Sequence, residues 1–200
     1  FYVSHIVGYI HNVLVLVGNR VNNIVFSFTT GQTAGKGNPL TGNIWAKTSN
    51  IVARDGGPRD AGLPLTASIK LDSTDLKSAS LSGTWDAIIL HEMGHALGFV
   101  GSIFSQLGLT DNAGHFIGAQ AQSAYGGPVP LEDTGGSGTA GSHWDEATFA
   151  PKGQQMSNEL MTGYFVPGET TLLSDTTIGA LADLGYNVRD PSALTSMVVD

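Results

Sequence analysis

The sequence predicts a single domain of the α+β class, and three observations support this class. The chain has 200 residues, 41% of them apolar, which is enough to bury one core. Segments that alternate apolar and polar residues, as strands do, lie between residues 23 and 72, whereas helical spacing follows Thr84 and Ser174. Glycine is abundant at 27 residues, which indicates long loops around these elements.

The strand predictions rest on short alternating segments. Residues 23–29 place Ile24, Phe26 and Phe28 on one face, and residues 67–72 show the same period. A further short strand is expected at residues 43–48. Upstream, residues 4–17 carry apolar residues at helical spacing, and we expect a helix there.

Two helices are predicted from their caps and stop signals. Thr84 can cap a helix that runs to Leu97 and ends at Gly98. Ser174 can cap a second helix that ends at Gly185. Between these helices we expect a loosely structured region, because residues 126–141 contain six glycines in sixteen.

The charge distribution excludes one class of partner. Residues 1–100 hold 7 basic and 6 acidic residues, and residues 101–200 hold 2 basic and 11 acidic ones. The net charge of −8 therefore lies almost wholly in the second half, and nucleic acid is not an expected partner. The longest purely apolar run covers only residues 13–17, so no transmembrane segment is expected. Because the chain begins at Phe1, we expect a targeting segment upstream and a secreted protein.

The segment His91-Glu92-Met93-Gly94-His95 is the motif that indicates chemistry. Residues four apart share one face of a helix, so His91 and His95 can direct imidazole nitrogens at one zinc ion. Glu92 can reach a water molecule at the open position of the metal and accept its proton. The helix predicted independently for this segment is the structural context that the motif requires. The motif therefore predicts a hydrolytic zinc site.

A hydrolytic zinc site needs a third protein ligand. The compact form of the extended motif would place a histidine three residues after Gly98, but that position is Gly101. There is no cysteine in the chain, so the ligand is not a thiolate. The other candidates, which the residues alone leave open, are His115, His143, His5, His11 and Glu132.

The sequence resembles the leishmanolysin-type metzincins, in particular their bacterial members. The resemblance is good over about residues 65–188 and poor over the first sixty residues. It is carried by HEMGHALGF at 91–99, GSHW at 141–144, NELMTGY at 158–164, residues 173–178 and 182–186, and, more weakly, residues 71–76.

The resemblance implies a fold and a ligand set. It assigns His143, after a long insertion, as the third zinc ligand, and Met161 to the methionine turn beneath the zinc. It also implies a metzincin-like fold, in which a twisted mixed sheet and the active-site helix form an upper subdomain, about residues 1–98. A smaller irregular lower subdomain, about residues 99–200, would end in a helix. The protozoan members are rich in disulfides, and the absence of cysteine separates this chain from them.

Two further assignments are hypotheses. Tyr164 could stabilise the oxyanion that forms when water adds to a carbonyl, although its spacing from Met161 is three residues where some metzincins have two. The acidic residues Asp111, Glu132 and Asp133 could bind Ca²⁺, with solvated loop charge as the alternative explanation.

The predicted function is a secreted zinc endopeptidase that acts on protein or peptide substrates, with Glu92 as general base. An extended substrate would lie along an edge strand from residues 43–70, and strongly acidic peptides would be disfavoured. Two alternatives remain. One is a zinc hydrolase with a different third ligand, such as His115, and the other is a non-catalytic, zinc-stabilised binding or adhesion module.

Overall fold

The computed structural model describes residues 25–31, 45–53, 62–72, 84–153, 155–165, 169–186, 188 and 197–199. Its strands are β1 (Val25–Gly31), β2 (Ala46–Ala53), β3 (Pro64–Asp72), β4 (His115–Phe116), β5 (Val129–Pro130), β6 (Thr171–Leu173) and β7 (Met197–Val199). Its helices are α1 (Trp85–Ala96), α2 (Gly101–Gln106), α3 (Ala119–Tyr125) and α4 (Asp175–Asp183). The mixture of helices and small sheets agrees with the predicted α+β class. The helix predicted at residues 4–17 lies outside the described residues.

The main sheet is mixed and has the strand order β1-β3-β2. Strand β1 runs parallel to β3, with Val25 opposite Thr66, and β2 runs antiparallel to β3, with Ala46 opposite Leu71. The three predicted strands overlap these three, but β2 continues five residues beyond the predicted end at Thr48. The alternation in β2 is interrupted there, which is why the sequence pattern did not show its second half.

A β-bulge causes this interruption. Ser49 pairs with Ser68 and Val52 pairs with Thr66, so Asn50 and Ile51 together lie opposite a single residue of β3. Asn50 has φ of 51°, a left-handed conformation that asparagine adopts more readily than most residues. The extra residue changes the face on which the next side chain lies. Ile51 therefore packs against the cores on both sides of α1 instead of pointing to solvent.

Helix α1 lies against the sheet through the alternating residues of β3. Ile69 at the centre of β3 is fully buried, a contribution of about 1.5–3 kcal/mol relative to an exposed side chain. The apolar cluster joins buried side chains of both elements: Ala67, Ile69, Leu71, Trp85, Ile88 and Ala96.

The start of α1 differs in detail from the prediction. Thr84 occupies the position before the helix, but its φ and ψ of −80° and −15° are already helical and its side chain makes no capping hydrogen bond. The predicted side-chain cap is therefore wrong, whereas the predicted extent of the helix is confirmed. Asp86 lies in the first turn, where a carboxylate interacts favourably with the helix dipole.

The end of α1 is a glycine-terminated turn, as predicted. Gly98 has φ of 102°, its N–H donates to the carbonyl of His95 at 2.9 Å, and the N–H of Phe99 donates to the carbonyl of Gly94 at 3.1 Å. This is the Schellman arrangement of hydrogen bonds. Tyr186 donates its hydroxyl to the carbonyl of Leu97 at 2.7 Å and so ties the end of the helix to the C-terminal region.

After Gly98 the chain forms a second core, which is centred on aromatic rings. Phe99, Phe104, Phe116 and Trp144 pack edge to face in a closed cycle, with ring centroids 4.8–5.5 Å apart. Strands β4 and β5 pair antiparallel beside them, and α2 and α3 cover them. The expectation of a mostly irregular region after Gly98 was therefore incomplete. These aromatic residues are isolated in sequence and have no period, so pattern reasoning could not locate the short helices.

Helix α4 begins with the predicted cap, because the hydroxyl of Ser174 accepts from the N–H of Thr177 at 3.2 Å. It packs closely on α3: a Cβ at Gly179 would lie 2.7 Å from the backbone nitrogen of Ala121. Asp183, at the end of α4, accepts from the N–H groups of Gln120 and Ala121 at 2.9 Å each. Ser174 and Asp183 thus fix the two ends of the helix.

One stretch of the described chain, Trp85–Gln106, is long and apolar enough in composition to cross a membrane, with a mean hydropathy of 1.4. In the fold, 61% of its most apolar 18-residue part is buried. The stretch is also divided near Gly98 into two helices, α1 and α2. It carries the buried core of the protein, which accounts for its composition.

We expect Gly98→Ala to destabilise the fold by roughly 1–3 kcal/mol, because an L-residue is strained at this φ. The new Cβ would also lie 3.2 Å from Cδ of Pro64 and 3.3 Å from Cδ1 of Ile103. Urea unfolding measures the change. Gly127→Ala is the matched control, since nothing lies within 4 Å of its Cβ position. Equal stability of the two variants would contradict the assigned role of Gly98.

Candidate metal centre

Three buried histidines converge at the floor of a cleft. His91 and His95 lie one turn apart on α1, and His143 lies in the connection after β5. Their Nε2 atoms form a triangle with sides of 3.0 Å (His91 to His95), 3.0 Å (His95 to His143) and 3.2 Å (His91 to His143). The structure therefore brings together the three residues that the sequence and the resemblance had singled out.

The other ring nitrogens show which form these histidines take. Each Nδ1 donates to a backbone carbonyl, at 2.7 Å for His91, 2.6 Å for His95 and 2.9 Å for His143. A carbonyl oxygen can only accept, so Nδ1 carries the proton and Nε2 presents a lone pair. The three acceptors, in the same order, are the carbonyl oxygens of Leu160, Phe99 and Thr139.

This arrangement fits a metal ion. Three nitrogen lone pairs that face one another repel unless a cation lies between them, and neutral imidazole is a common zinc ligand. With zinc–nitrogen bonds of about 2.0–2.1 Å, nitrogens around one tetrahedral ion lie about 3.3–3.4 Å apart. The observed separations of 3.0–3.2 Å are close to that value. Carbonyl partners on the far nitrogens are also typical of histidines that bind metals.

Burial keeps the three rings in the neutral form. It lowers the pKa of His95 to about 3, with a further contribution from His143. Burial likewise lowers the pKa of His91 well below its ordinary value, and that of His143 below its ordinary value. Protons therefore compete weakly with a metal for these nitrogens.

Glu92 lies beside the three histidines, buried on α1. Burial raises the pKa of its carboxyl to about 7, while hydrogen bonds from Thr48 act in the opposite direction. The hydroxyl of Thr48, on β2, lies 2.6 Å from Oε2 of Glu92 and 2.9 Å from the carbonyl oxygen of the same residue. Thr48 thus holds the carboxyl against the edge of the sheet.

Met161 packs directly beneath α1 at this point. The space where Gly94 would carry a Cβ is occupied by Met161, whose sulfur lies 2.5 Å from that position. Glycine between the two histidines is therefore required for the close approach of Met161. Phe165 lies over the site and contacts His91 edge to face, with the ring centroids 5.2 Å apart.

The cleft above the site has a volume of about 770 Å³. On one side it is lined by Trp45, which directly precedes β2, and by Lys47, Thr48 and Ile51 of β2; α1 contributes Ile88, His91, Glu92 and His95. The opposite wall is made of small residues from the segment before His143: Gly135, Ser137, Gly138, Thr139 and Ser142.

The sequence of this chain matches a known protein family. The sequence model of the leishmanolysin family, a peptidase family, matches residues 59–198, which is most of the chain. The chain belongs to the leishmanolysin family. A leishmanolysin homolog from Crithidia fasciculata is 30% identical to it over 138 residues, which cover 56% of this chain and 19% of the relative. The chain thus spans about a fifth of the length of that relative. No solved structure matches the chain significantly.

The family assignment confirms the resemblance drawn from the motifs at 91–99, 141–144 and 158–164. The leishmanolysin family is one of metallopeptidases, and the buried group of His91, His95 and His143 could bind the metal that such an activity needs.

The other candidate ligands lie away from the histidine group or outside the described residues. His115 is half-buried on β4, where its Nδ1 lies 2.9 Å from the carboxylate of Asp111, and it is not in the histidine group. Asp111 also accepts from the N–H groups of Ala113 and His115, so this carboxylate closes a local turn. His5 and His11 lie outside the described residues.

The calcium hypothesis receives no support. Of its three residues, Asp133 is exposed and Asp111 is engaged with His115. Only Glu132 lies in an acidic group, together with Asp145 and Glu146. Its Oε1 accepts from the N–H and the hydroxyl of Thr134, at 2.8 and 2.6 Å.

Tyr164 lines the cleft and is half exposed, and its role in stabilising an oxyanion stays a prediction. Two residues to which the sequence analysis assigned no role contact the site or its supports. Thr48 contacts Glu92 from strand β2, and Glu159 is buried two residues before Met161. Neither residue has a known spacing from the histidines. The sequence pointed toward Glu159 only as part of the segment NELMTGY at 158–164.

His143→Ala should weaken zinc binding by more than the roughly 10- to 100-fold that loss of an outer partner costs, because it removes a ligand. Zinc content after dialysis and the rise in melting temperature on adding zinc measure this effect. For a saturated site, zinc at 100 times its Kd stabilises the protein by about 2.7 kcal/mol. His115→Ala is the matched control and should keep both properties. Full zinc content in His143→Ala, with loss in His115→Ala, would reverse the assignment.

Proposed function

We propose that this chain is the catalytic part of a zinc-dependent endopeptidase. One observation carries the proposal: three imidazole Nε2 atoms converge, next to a buried carboxyl group, at the floor of an open cleft beside an edge strand. Membership of a metallopeptidase family supports it. His91, His95 and His143 would hold the ion, and no thiolate is available in a chain without cysteine.

Zinc, when bound, lowers the pKa of a coordinated water and polarises the scissile carbonyl. Glu92 supplies the proton transfers. Its carboxylate takes the proton of the water that attacks the carbonyl carbon and later gives it to the amine that leaves. A pKa near neutrality suits a group that must both accept and return a proton.

The substrate is proposed to bind along β2. Among the described strands, β2 is paired with β3 only, and four of its residues, Ala46, Lys47, Thr48 and Ile51, line the cleft. An extended peptide can add to such an edge through backbone hydrogen bonds. The small residues of the opposite wall leave room for side chains of the peptide. Tyr164, at the rim, is placed as a donor toward the oxyanion in this proposal.

Further parts of the proposal concern the whole protein. We propose a metzincin-like catalytic domain divided near Gly98, and secretion as its destination. The first is supported by the mixed sheet with an antiparallel edge strand above α1. The second is supported by the small share of charged residues, 13%.

Two other functions are less well supported. A zinc hydrolase with His115 as third ligand does not fit the pairing of His115 with Asp111. A zinc-stabilised binding module has no need of a buried carboxyl group beside an open metal position. The open cleft above Glu92 favours catalysis over that alternative.

Glu92→Gln should lower kcat for cleavage of a quenched peptide roughly 10²- to 10⁴-fold, the usual contribution of a general base. Zinc content should stay at one per chain, because Glu92 is not a ligand in the proposal. His115→Ala should cleave at the wild-type rate. If wild type binds one zinc and cleaves no peptide in a broad library, the peptidase function is wrong.

Thr48→Val should lower kcat roughly 10-fold or more, because a hydrogen bond to a charged group contributes about 1.5–3 kcal/mol. It should also move the acid side of the pH profile of kcat/KM to higher pH. The sign follows from the pKa: the bond from Thr48 lowers the pKa of Glu92, so its loss raises that pKa, and a base works only above its pKa. Thr48→Ser, which keeps the hydroxyl, should behave as wild type. A profile unchanged by Thr48→Val would contradict the role of this contact.

A further inference from the structure

Glu159 is the most deeply buried acidic residue among the described side chains, with 1% of its surface exposed. Its carboxylate accepts hydrogen bonds from two backbone and two side-chain donors. Oε2 accepts from the N–H of Met161 at 2.5 Å. Oε1 accepts from the hydroxyl and the N–H of Ser174, at 2.7 and 3.3 Å, and from the hydroxyl of Thr177. A buried carboxylate with so many partners is specifically built into the fold.

The hydroxyl groups of Ser174 and Thr177 donate to Glu159, and their other bonds leave their protons free to do so. The hydroxyl oxygen of Thr177 already accepts from Nε1 of Trp144 at 2.8 Å, and that of Ser174 accepts from the N–H of Thr177 at 3.2 Å. Their protons are therefore directed to the carboxylate. All four partners then act as donors, and only a group that accepts on both oxygens satisfies them. The N-terminal end of α4, to which Ser174 and Thr177 belong, adds a favourable dipole.

On one side, this carboxylate holds the segment that orients His91. The carbonyl of Leu160, the next residue, accepts from Nδ1 of His91 at 2.7 Å. The bonds from Met161 and Ser174 fix Glu159 with respect to both the methionine turn and α4. The position of the Leu160 carbonyl, and hence the direction of the His91 ring, depends on this anchor.

On the other side, the same network reaches the segment of His143. Trp144, the residue after His143, donates its ring N–H to Thr177, which donates to Glu159. The backbone N–H of Trp144 also donates to the carbonyl of Met161 at 3.0 Å. One carboxylate therefore connects the supports of two of the three histidines, which come from segments 52 residues apart.

We propose that Glu159 is a positioning residue that sets the geometry of the metal centre by anchoring both the Leu160 carbonyl and the Trp144 segment. The inference rests on the proposed metal centre, though not on peptide cleavage. Its effect is on how well His91 and His143 are aligned, and therefore on metal affinity and coordination geometry.

The test is Glu159→Gln, which keeps the shape of the side chain but replaces one accepting oxygen with an NH₂ group that faces donors. We expect the Kd for zinc, measured by chelator competition, to rise about 10- to 100-fold, as for other outer partners of metal ligands. We also expect the visible absorption bands of the cobalt(II)-substituted protein to shift, since they report ligand geometry. Glu169→Gln, an exposed glutamate ten residues away, is the matched control and should change neither.

The readouts separate a positioning role from a purely structural one. If Glu159→Gln lowers the melting temperature of the metal-free protein while the zinc Kd and the cobalt spectrum stay as in wild type, the proposal is overturned. If Glu159→Gln does not fold, Thr177→Val decides, because it removes one donor: a smaller rise in Kd is expected, against an exposed control, Thr170→Val. An unchanged Kd in Thr177→Val would then overturn the proposal. Wild-type zinc binding without cleavage would refute the peptidase function alone.

Discussion

The rest of the structure depends on one constraint: the neutral imidazole rings of His91, His95 and His143 are buried in contact with one another. Their Nε2 atoms lie 3.0–3.2 Å apart with no proton between them, a repulsive arrangement that a cation relieves. Each ring is oriented through its other nitrogen by a backbone carbonyl, and the carbonyls belong to three different parts of the chain. Binding of a metal at these three nitrogens would therefore be coupled to the packing of these parts, since each part orients one ring.

The fold satisfies this constraint largely with backbone groups and small residues. Gly98 ends α1 in a turn that brings the carbonyl of Phe99 under His95. Gly94 leaves the space that Met161 fills, so the segment around Met161 can approach the helix closely. The glycines before His143 form a thin wall, which leaves the cleft open above the metal position. Some of the many glycines therefore allow the close approach of Met161 to α1, and others line the cleft.

Two buried glutamates, Glu92 and Glu159, lie in different environments. Burial raises the pKa of both Glu92 and Glu159. Glu92 has a single hydroxyl partner, Thr48, and lines the cleft, which gives it the access that the proposed proton transfer requires. Glu159 is surrounded by four donors and has no access to the cleft lining, so it serves to hold other groups. The different roles proposed for these two glutamates follow from the different number of donors and the different access to the cleft.

The sequence by itself determined the helix around His91 and His95 and the Ser174 cap, and its resemblance to leishmanolysin-type proteins indicated that His143 would lie with these two histidines. These are local: spacing on one helix, a capping residue, and a short motif all depend on neighbours along the chain. Tertiary structure decided the rest. The bulge at Asn50, the contact of Thr48 with Glu92 and the anchoring by Glu159 join residues from 15 to 44 positions apart. No period or propensity records such contacts, because they arise only when the strands and helices pack together.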